Sequence, residues 1–283
     1  MTVRALAATA PPPLPYRQLS RYGNEYLLSS AAALAQLAPR RFDRGIILLL
    51  LLRQCAADWV GDRIFSAPAG PIRSFSINGL ATSLERPFET VRRHVQQLVD
   101  HGLCVSGPGG VAINPAPGAA PHVIAFLTAV HDLFIRLIED HAPVGVLPVP
   151  PGPGRAPPLG TRIAAALDVN LMPFEGFRGK AGDWTSMLLW LGVGVANVRH
   201  ITEDAALSAR YAHDSTPDAL RQPAAIERIA DRLDLSRATA WRHRQRLADA
   251  NVLARSGDGW IIATEQLRAE AIEDRPSRAR LRR

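Results

Sequence analysis

Arg237, Thr239, Trp241, Arg242 and Gln245 fall on one broad side of a helical repeat, while Ala240, His243 and Leu247 fall on the other. Arginine presents paired N–H donors that match guanine O6 and N7, and glutamine presents a donor and an acceptor that match adenine. A helix carrying both has the chemistry to read base edges. Ser236 directly before them is a residue type that caps a helix by accepting from the next turn of backbone, and it also stands within reach of phosphate. Arg244 and Arg246 on the flanks suit phosphate oxygens, and Arg255 suits a minor groove or the sugar-phosphate backbone.

The chain carries this stretch twice. Residues Ile77 to Ile113 align without a gap on Ile226 to Ile262 at a constant offset of 149 residues, and 11 of the 37 paired positions are identical. The identities include Ala81/Ala230, Leu84/Leu233, Thr90/Thr239, Arg93/Arg242, His94/His243, Gln96/Gln245 and Leu98/Leu247, which mark the same turns of the same two helices. Identity at one fixed period is the signature of a repeated supersecondary unit.

Each copy predicts a helix, a tight turn, a longer helix and a β-hairpin. In the second copy Ile226, Ile229, Ala230 and Leu233 have helical spacing. Val252, Leu253 and Ala254, then Ser256-Gly257-Asp258-Gly259, then Trp260, Ile261 and Ile262 have the form of two short strands around a glycine turn. The first copy starts its longer helix at Pro87, buries Val91, Val95 and Leu98, and turns at Gly107-Pro108-Gly109-Gly110.

Ile229-Ala230-Asp231-Arg232-Leu233, Ser236-Arg237-Ala238-Thr239, Leu247 and Leu253 resemble the winged helix-turn-helix of bacterial transcription regulators of the GntR, IclR and MarR kind. The resemblance implies a mainly α fold with small β-wings, two winged helix-turn-helix domains in tandem. It also implies sequence-specific binding of double-stranded DNA, with the second helix of each unit in a major groove. On that reading the contacts of the second unit are Ser236, Arg237, Thr239, Trp241, Arg242, Arg244, Gln245, Arg246 and Arg255. Those of the first are Thr90, Arg92, Arg93, Gln96 and Gln97. The first copy departs from the pattern, since Phe88 and Glu89 stand where the second has Arg237 and Ala238, and a carboxylate there repels phosphate. His94 and His243 are expected to pack against the preceding helix.

The formal net charge of +7 over 283 residues favours a polyanionic partner, although Lys180 is the sole lysine and the arginine excess also fits a biased codon usage. Cys55 and Cys104 form no metal-ligand pattern and no disulfide framework, which points to a reducing compartment. The run Gly45 to Leu52 between Arg44 and Arg53 is far shorter than the ~20 residues of a membrane span. No membrane association is expected, and the expected location is the cytoplasm, at the nucleoid. No enzyme, metal or cofactor is expected: GxSxG, Walker and HExxH patterns are absent, and Gly192-Val193-Gly194 sits inside an apolar helix. His131, Asp132, Glu139 and His141 read as solvated or capping residues, as do His200 and Glu203.

The expected organisation is a disordered tail over 1–19, a first winged-helix domain over 20–115, an amphipathic helix over 116–141, a Pro/Gly-rich linker over 142–182, a second winged-helix domain over 183–268 and a basic tail over 269–283. Helices are expected over Tyr22 to Leu37, Phe42 to Val60 and Trp184 to Thr202. The helix Val123 to Glu139 is expected to bury Phe126, Val130, Leu133, Phe134, Leu137 and Ile138. Pro143 to Pro158 holds seven prolines in sixteen residues and excludes helix and central strand there. Two other readings accompany transcription regulation: a plasmid-type replication initiator with tandem winged helices, and a winged-helix scaffold whose partners are proteins. The chain is expected to act as a homodimer or as a single-chain pseudo-dimer, and any small-molecule effector is unspecified.

Overall fold

The computed structural model describes residues 15–38, 42–56, 73–114, 120–144, 154, 156–176, 183–265 and 267. They form α1 (Tyr16–Leu37), α2 (Phe42–Ala56), α3 (Ile77–Leu84), α4 (Phe88–Asp100), β1 (Cys104–Gly107), β2 (Gly110–Ile113), α5 (Ala120–His141), α6 (Leu159–Gly176), α7 (Trp184–Glu203), α8 (Ala205–Arg210), α9 (Ile226–Arg232), α10 (Arg237–Asp249), β3 (Ala254–Ser256) and β4 (Gly259–Ile261). The fold is mainly helical with two small antiparallel sheets.

The internal repeat is structural down to single dihedrals. Helices α4 and α10 begin and end at positions related by the sequence offset. The turn before each contains a left-handed residue, Glu85 at φ 52° and Asp234 at φ 50°, and the exit from each passes through Gly102 at φ 71° and Asn251 at φ 55°. The hairpin registers also match, with Val105 opposite Ala112 and Ala254 opposite Ile261. A further bridge joins Phe75 to Val111 and Ala224 to Trp260. It explains the shared glycine at the start of each second strand: a Cβ on Gly110 would lie 1.9 Å from the Phe75 carbonyl oxygen, and one on Gly259 would lie 2.8 Å from that of Ala224.

Two cores result. In the first, α2 supplies Ile46, Ile47, Leu48, Leu51 and Leu52, and Leu80, Val91, Val95, Leu98 and Val111 pack on it. In the second, α7 has the same role with Met187, Leu188, Leu189, Leu191 and Val193, against Ile226, Ile229, Ala230, Ala240 and Leu247. The glycines inside α7 allow the close approach, since a Cβ on Gly192 would meet Ile229 Cγ2 at 2.5 Å. Asn197, fully buried on α7, donates to the carbonyls of Gln222 (2.7 Å) and Trp260 (3.0 Å) and accepts from Ile262 N–H (2.9 Å). Every polar group of that amide is satisfied, which ties the second hairpin to its core helix.

The expected domain boundaries need correction. Helix α1 starts at Tyr16, inside the stretch expected to be a tail, because Arg17 reaches across to Thr202 Oγ1 (2.8 Å) and the Tyr211 carbonyl (2.8 Å), and Gln18 donates to Ser208 Oγ (2.6 Å). The same helix places Leu34 in the first core and Leu28 and Ala31 in the second, so it belongs to both units. The supposed linker contains α6, whose Ile163, Ala166 and Leu167 are part of the first core. Tyr26 of α1 donates to the Ala166 carbonyl (2.9 Å) and accepts from Asn170 (2.5 Å), and Arg53 of α2 pairs with Asp168.

Helix α5 is likewise a wall of the first core, through Val123, Phe126, Leu127 and Val130. Its buried stripe drifts from the expected one, leaving Ile138 exposed. Pro121 lies in its first turn, where a missing N–H costs nothing. The segment Pro121–His141 is long and apolar enough to cross a membrane by length and composition, with a mean hydropathy of 1.4. Here it packs against α1 and α6. The expected tail up to residue 14, the bulk of the proline-rich stretch and the basic C-terminal tail lie outside the described residues.

Candidate functional site

Helix α10 is capped by Ser236, whose hydroxyl accepts from Thr239 N–H at 3.2 Å and donates to Thr239 Oγ1 at 2.9 Å. Arg237 and Trp241 project into solvent from its outer side, Trp241 being 60% exposed. Gln245, half-buried, donates to Asp249 Oδ1 at 2.9 Å. The equivalent Gln96 donates to Asp100 Oδ1 at the same distance, so the repeat keeps this pair together.

Arg244, expected to reach phosphate, is held between two indoles. Its guanidinium lies 5.1 Å from the Trp260 ring and 5.7 Å from the Trp241 ring, and donates to Gln245 Oε1 at 3.1 Å. Arg255 stacks on Trp260 at 5.5 Å and donates to the Gly257 carbonyl at 3.0 Å. Trp260 is thus the stack that orders two arginines, a role the sequence reading missed. Its position in the hairpin, directly across from Arg255, was the available signal.

On α4, Arg92 holds Glu89 through two hydrogen bonds of 2.8 and 2.6 Å, and this pairing keeps the Glu89 carboxyl below the usual carboxylate range. The carboxylate expected to repel phosphate is therefore neutralised by its neighbour. Phe88 is 48% exposed where α10 has Arg237. Gln97 is half-buried on α4.

The two units meet at a cleft of about 800 Å³, lined by Phe42, Asp43, Arg44, Arg86, Thr90, Arg93 and His94 from one side and by Asp183, Thr185, Leu235, Ser236, Thr239, Arg242, His243 and Arg246 from the other. The sequence placed Arg242 with the outer face of α10 and Arg246 toward phosphate. In the structure both are cleft walls, and Arg246 pairs with Asp183 at 3.1 Å. The repeat-identical Thr90 and Thr239, Arg93 and Arg242, and His94 and His243 all face this one space.

The histidines, expected to pack against the helix that precedes each of them, also meet the starts of the core helices: His243 bonds to the start of α7, and His94 lines the cleft beside the start of α2. His243 Nδ1 lies 3.1 Å from Asp183 Oδ1 and 3.0 Å from Ser186 Oγ. Burial works against the Asp183 carboxylate. Hydrogen bonds from His243, from the Ser186 backbone and from the Ser186 hydroxyl nonetheless bring its pKa down to about 2. In the first unit burial lowers the pKa of His94, with Asp43 opposing and Arg44 and Arg93 adding to the shift. His94 Nδ1 has no hydrogen-bond partner among the described residues.

Comparison of the chain with protein-family models, with curated proteins and with solved structures returns no match. The assignment of a role therefore rests on the geometry above.

Proposed function

We propose that the two repeat units are winged helix-turn-helix modules and that the chain is a cytoplasmic, sequence-specific double-stranded-DNA-binding protein that regulates transcription. The observation that carries this reading is the outer side of α10. There Arg237 and Trp241 stand clear of the core, on a helix set by the four-residue turn Leu233 to Ser236 and followed by a hairpin with Arg255 on its edge. That layout suits a helix entering a major groove while the hairpin touches the flanking backbone. Arg237 is the base reader in this reading, Gln245 joins it by exchanging its bonds to Asp249 and Arg244 for a base edge, Trp241 supplies apolar contact, and Arg255 supplies charge. Helix α4 offers Arg92 and Gln96 in the equivalent place, each tempered by its own carboxylate partner.

No part of this reading requires a metal or a cofactor. Selection of bound sequences from random duplex DNA is the direct test. A common sequence motif is expected, with an affinity that falls steeply between low and physiological salt because neutralised phosphates release counterions. Selected DNA with no shared motif, or no binding at low salt, overturns the reading. Replication initiation by a single chain is a second role compatible with the same geometry, in which α1 belongs to both cores. Selected sites that recur as directly repeated copies at one locus would favour that role over regulation.

A further inference from the structure

The eleven identities between the repeats divide by what holds them. Five are apolar: Ile77/Ile226, Ala81/Ala230, Leu84/Leu233 and Leu98/Leu247, together with Ile113/Ile262, all packed in or against the two cores. One is the glycine that the Phe75 or Ala224 backbone requires. Two are the Gln and Asp that bond to each other on each helix. The remaining three, Thr, Arg and His, converge from both units on the interunit cleft. Core packing explains no part of the pair Arg93 and Arg242: both are exposed, and neither makes a hydrogen bond or a salt bridge within 4 Å among the described residues, although Arg93 lies near enough to the Glu89 carboxylate to stabilise it.

The electrostatics of the cleft are one-sided. Arg44, Arg86 and Arg246 stand with those two arginines, against the carboxylates of Asp43 and Asp183. The carboxylates are engaged by Arg86 at 3.5 Å and by His243 and Arg246 at 3.1 Å. His94, 8% exposed, lines the same space with an Nδ1 that makes no bond among the described residues. A volume of about 800 Å³ falls in the range of small-molecule sites, roughly 300–1,000 Å³.

We infer that this cleft is a binding site for a small anion with two or more phosphate groups, of nucleotide size, held between the repeats. One phosphate takes the Arg93 guanidinium and the Thr90 hydroxyl, and another takes Arg242 and Thr239. Arginine suits this task because its planar donors meet phosphate oxygens in pairs. The site goes beyond the DNA reading and does not depend on it, since Arg237, Trp241 and Arg255 are not among the cleft residues.

Calorimetric titration of the full chain with inorganic pyrophosphate, and separately with ATP, tests the inference. One saturable site per chain is expected for pyrophosphate, weakened at least tenfold by Arg93→Ala and at least tenfold by Arg242→Ala. Arg237→Ala, outside the cleft, is expected to change it less than twofold. Both cleft arginines are exposed, so their loss leaves the cores intact, and circular dichroism of each variant verifies this. Absence of saturable binding overturns the inference. So does an equal loss in all three variants, which would indicate a diffuse basic surface.

A second arm adds duplex DNA to the pyrophosphate-loaded protein. Simultaneous occupancy upholds a free phosphate ligand. One-for-one displacement would assign the cleft to DNA-backbone phosphates and overturn the small-ligand site. Pyrophosphate binding without duplex binding removes the DNA reading and leaves the cleft standing, and the reverse result does the opposite.

Discussion

At the scale of single residues, the arginines divide by what already holds them. Arg237 has no partner among the described residues, so its donors are available to base edges. Arg237→Ala is expected to cost on the order of 1–3 kcal/mol on the selected duplex and to relax preference at one base pair. Arg255, on the hairpin edge, should weaken specific and random duplexes alike when replaced by alanine. Equal losses on both DNAs for both variants, measured by titration, would contradict the division. Arg244 between two indoles is expected to act through order instead of charge, so Arg244→Ala should loosen the Trp260 hairpin.

Asp183 gives a residue-scale prediction in pH. Its folded pKa of about 2 lies below the ordinary carboxylate value of 3.8, so the stabilisation is fully present above the unfolded pKa. It is lost as the pH falls from about 4 through about 2. Its size is on the order of 2 kcal/mol by linkage. Asp183→Asn keeps an N-cap for α7 and removes the titration. Denaturant unfolding between pH 5 and 2 should show a shallower loss of stability in the variant than in the parent. Parallel curves would show that the Asp183 contacts with His243 and Ser186 carry no linked protonation.

At the scale of elements, α7 is held to α9 and to the second hairpin by two different means. The α9 contact is steric: Gly192 leaves room for Ile229, and a methyl group there would sit 2.5 Å from Cγ2. Gly192→Ala is expected to destabilise by about 1–3 kcal/mol through overpacking, although alanine favours helix. The hairpin contact is polar. Replacing Asn197 by alanine takes a partner from the Gln222 carbonyl and from the Ile262 N–H and leaves the Trp260 carbonyl with Ala224 N–H alone, at a cost of about 1–3 kcal/mol. Thermal unfolding of the two variants measures both. A neutral Gly192→Ala would mean that α9 can slide along α7 without loss.

At the scale of the molecule, helix α1 decides that the repeats behave as one body. It places side chains in both cores, and Phe42 and Trp184, at the starts of the two core helices, each pack against both. Heating should therefore give a single cooperative transition, and calorimetry resolving two independent transitions would disprove it. Two unlike units locked together also predict one chain per asymmetric DNA site. The units differ where Phe88-Glu89 replaces Arg237-Ala238, so a perfect palindrome is the wrong target. The mass of the complex checks this, and two chains on a palindrome would make the first unit a support for dimerisation.

The sequence by itself determined the repeat and nearly everything inside each copy: the two helices, the turn, the hairpin, and the buried Val91, Val95 and Leu98 against Ala240, His243 and Leu247. These are local features. A helical period states which side of a helix turns inward, and a glycine turn between two apolar runs states which residues pair. The same logic placed Ser236 at a cap and Arg237 and Trp241 on the outside. Tertiary structure alone decided the rest. That α1 divides its apolar side between two cores, that α6 is core instead of linker, and that Arg93 and Arg242 share one cleft all depend on packing between segments more than a hundred residues apart. Periodicity reports that a face is buried and is silent about its partner, because burial is rewarded by area removed from water, whichever surface does the covering.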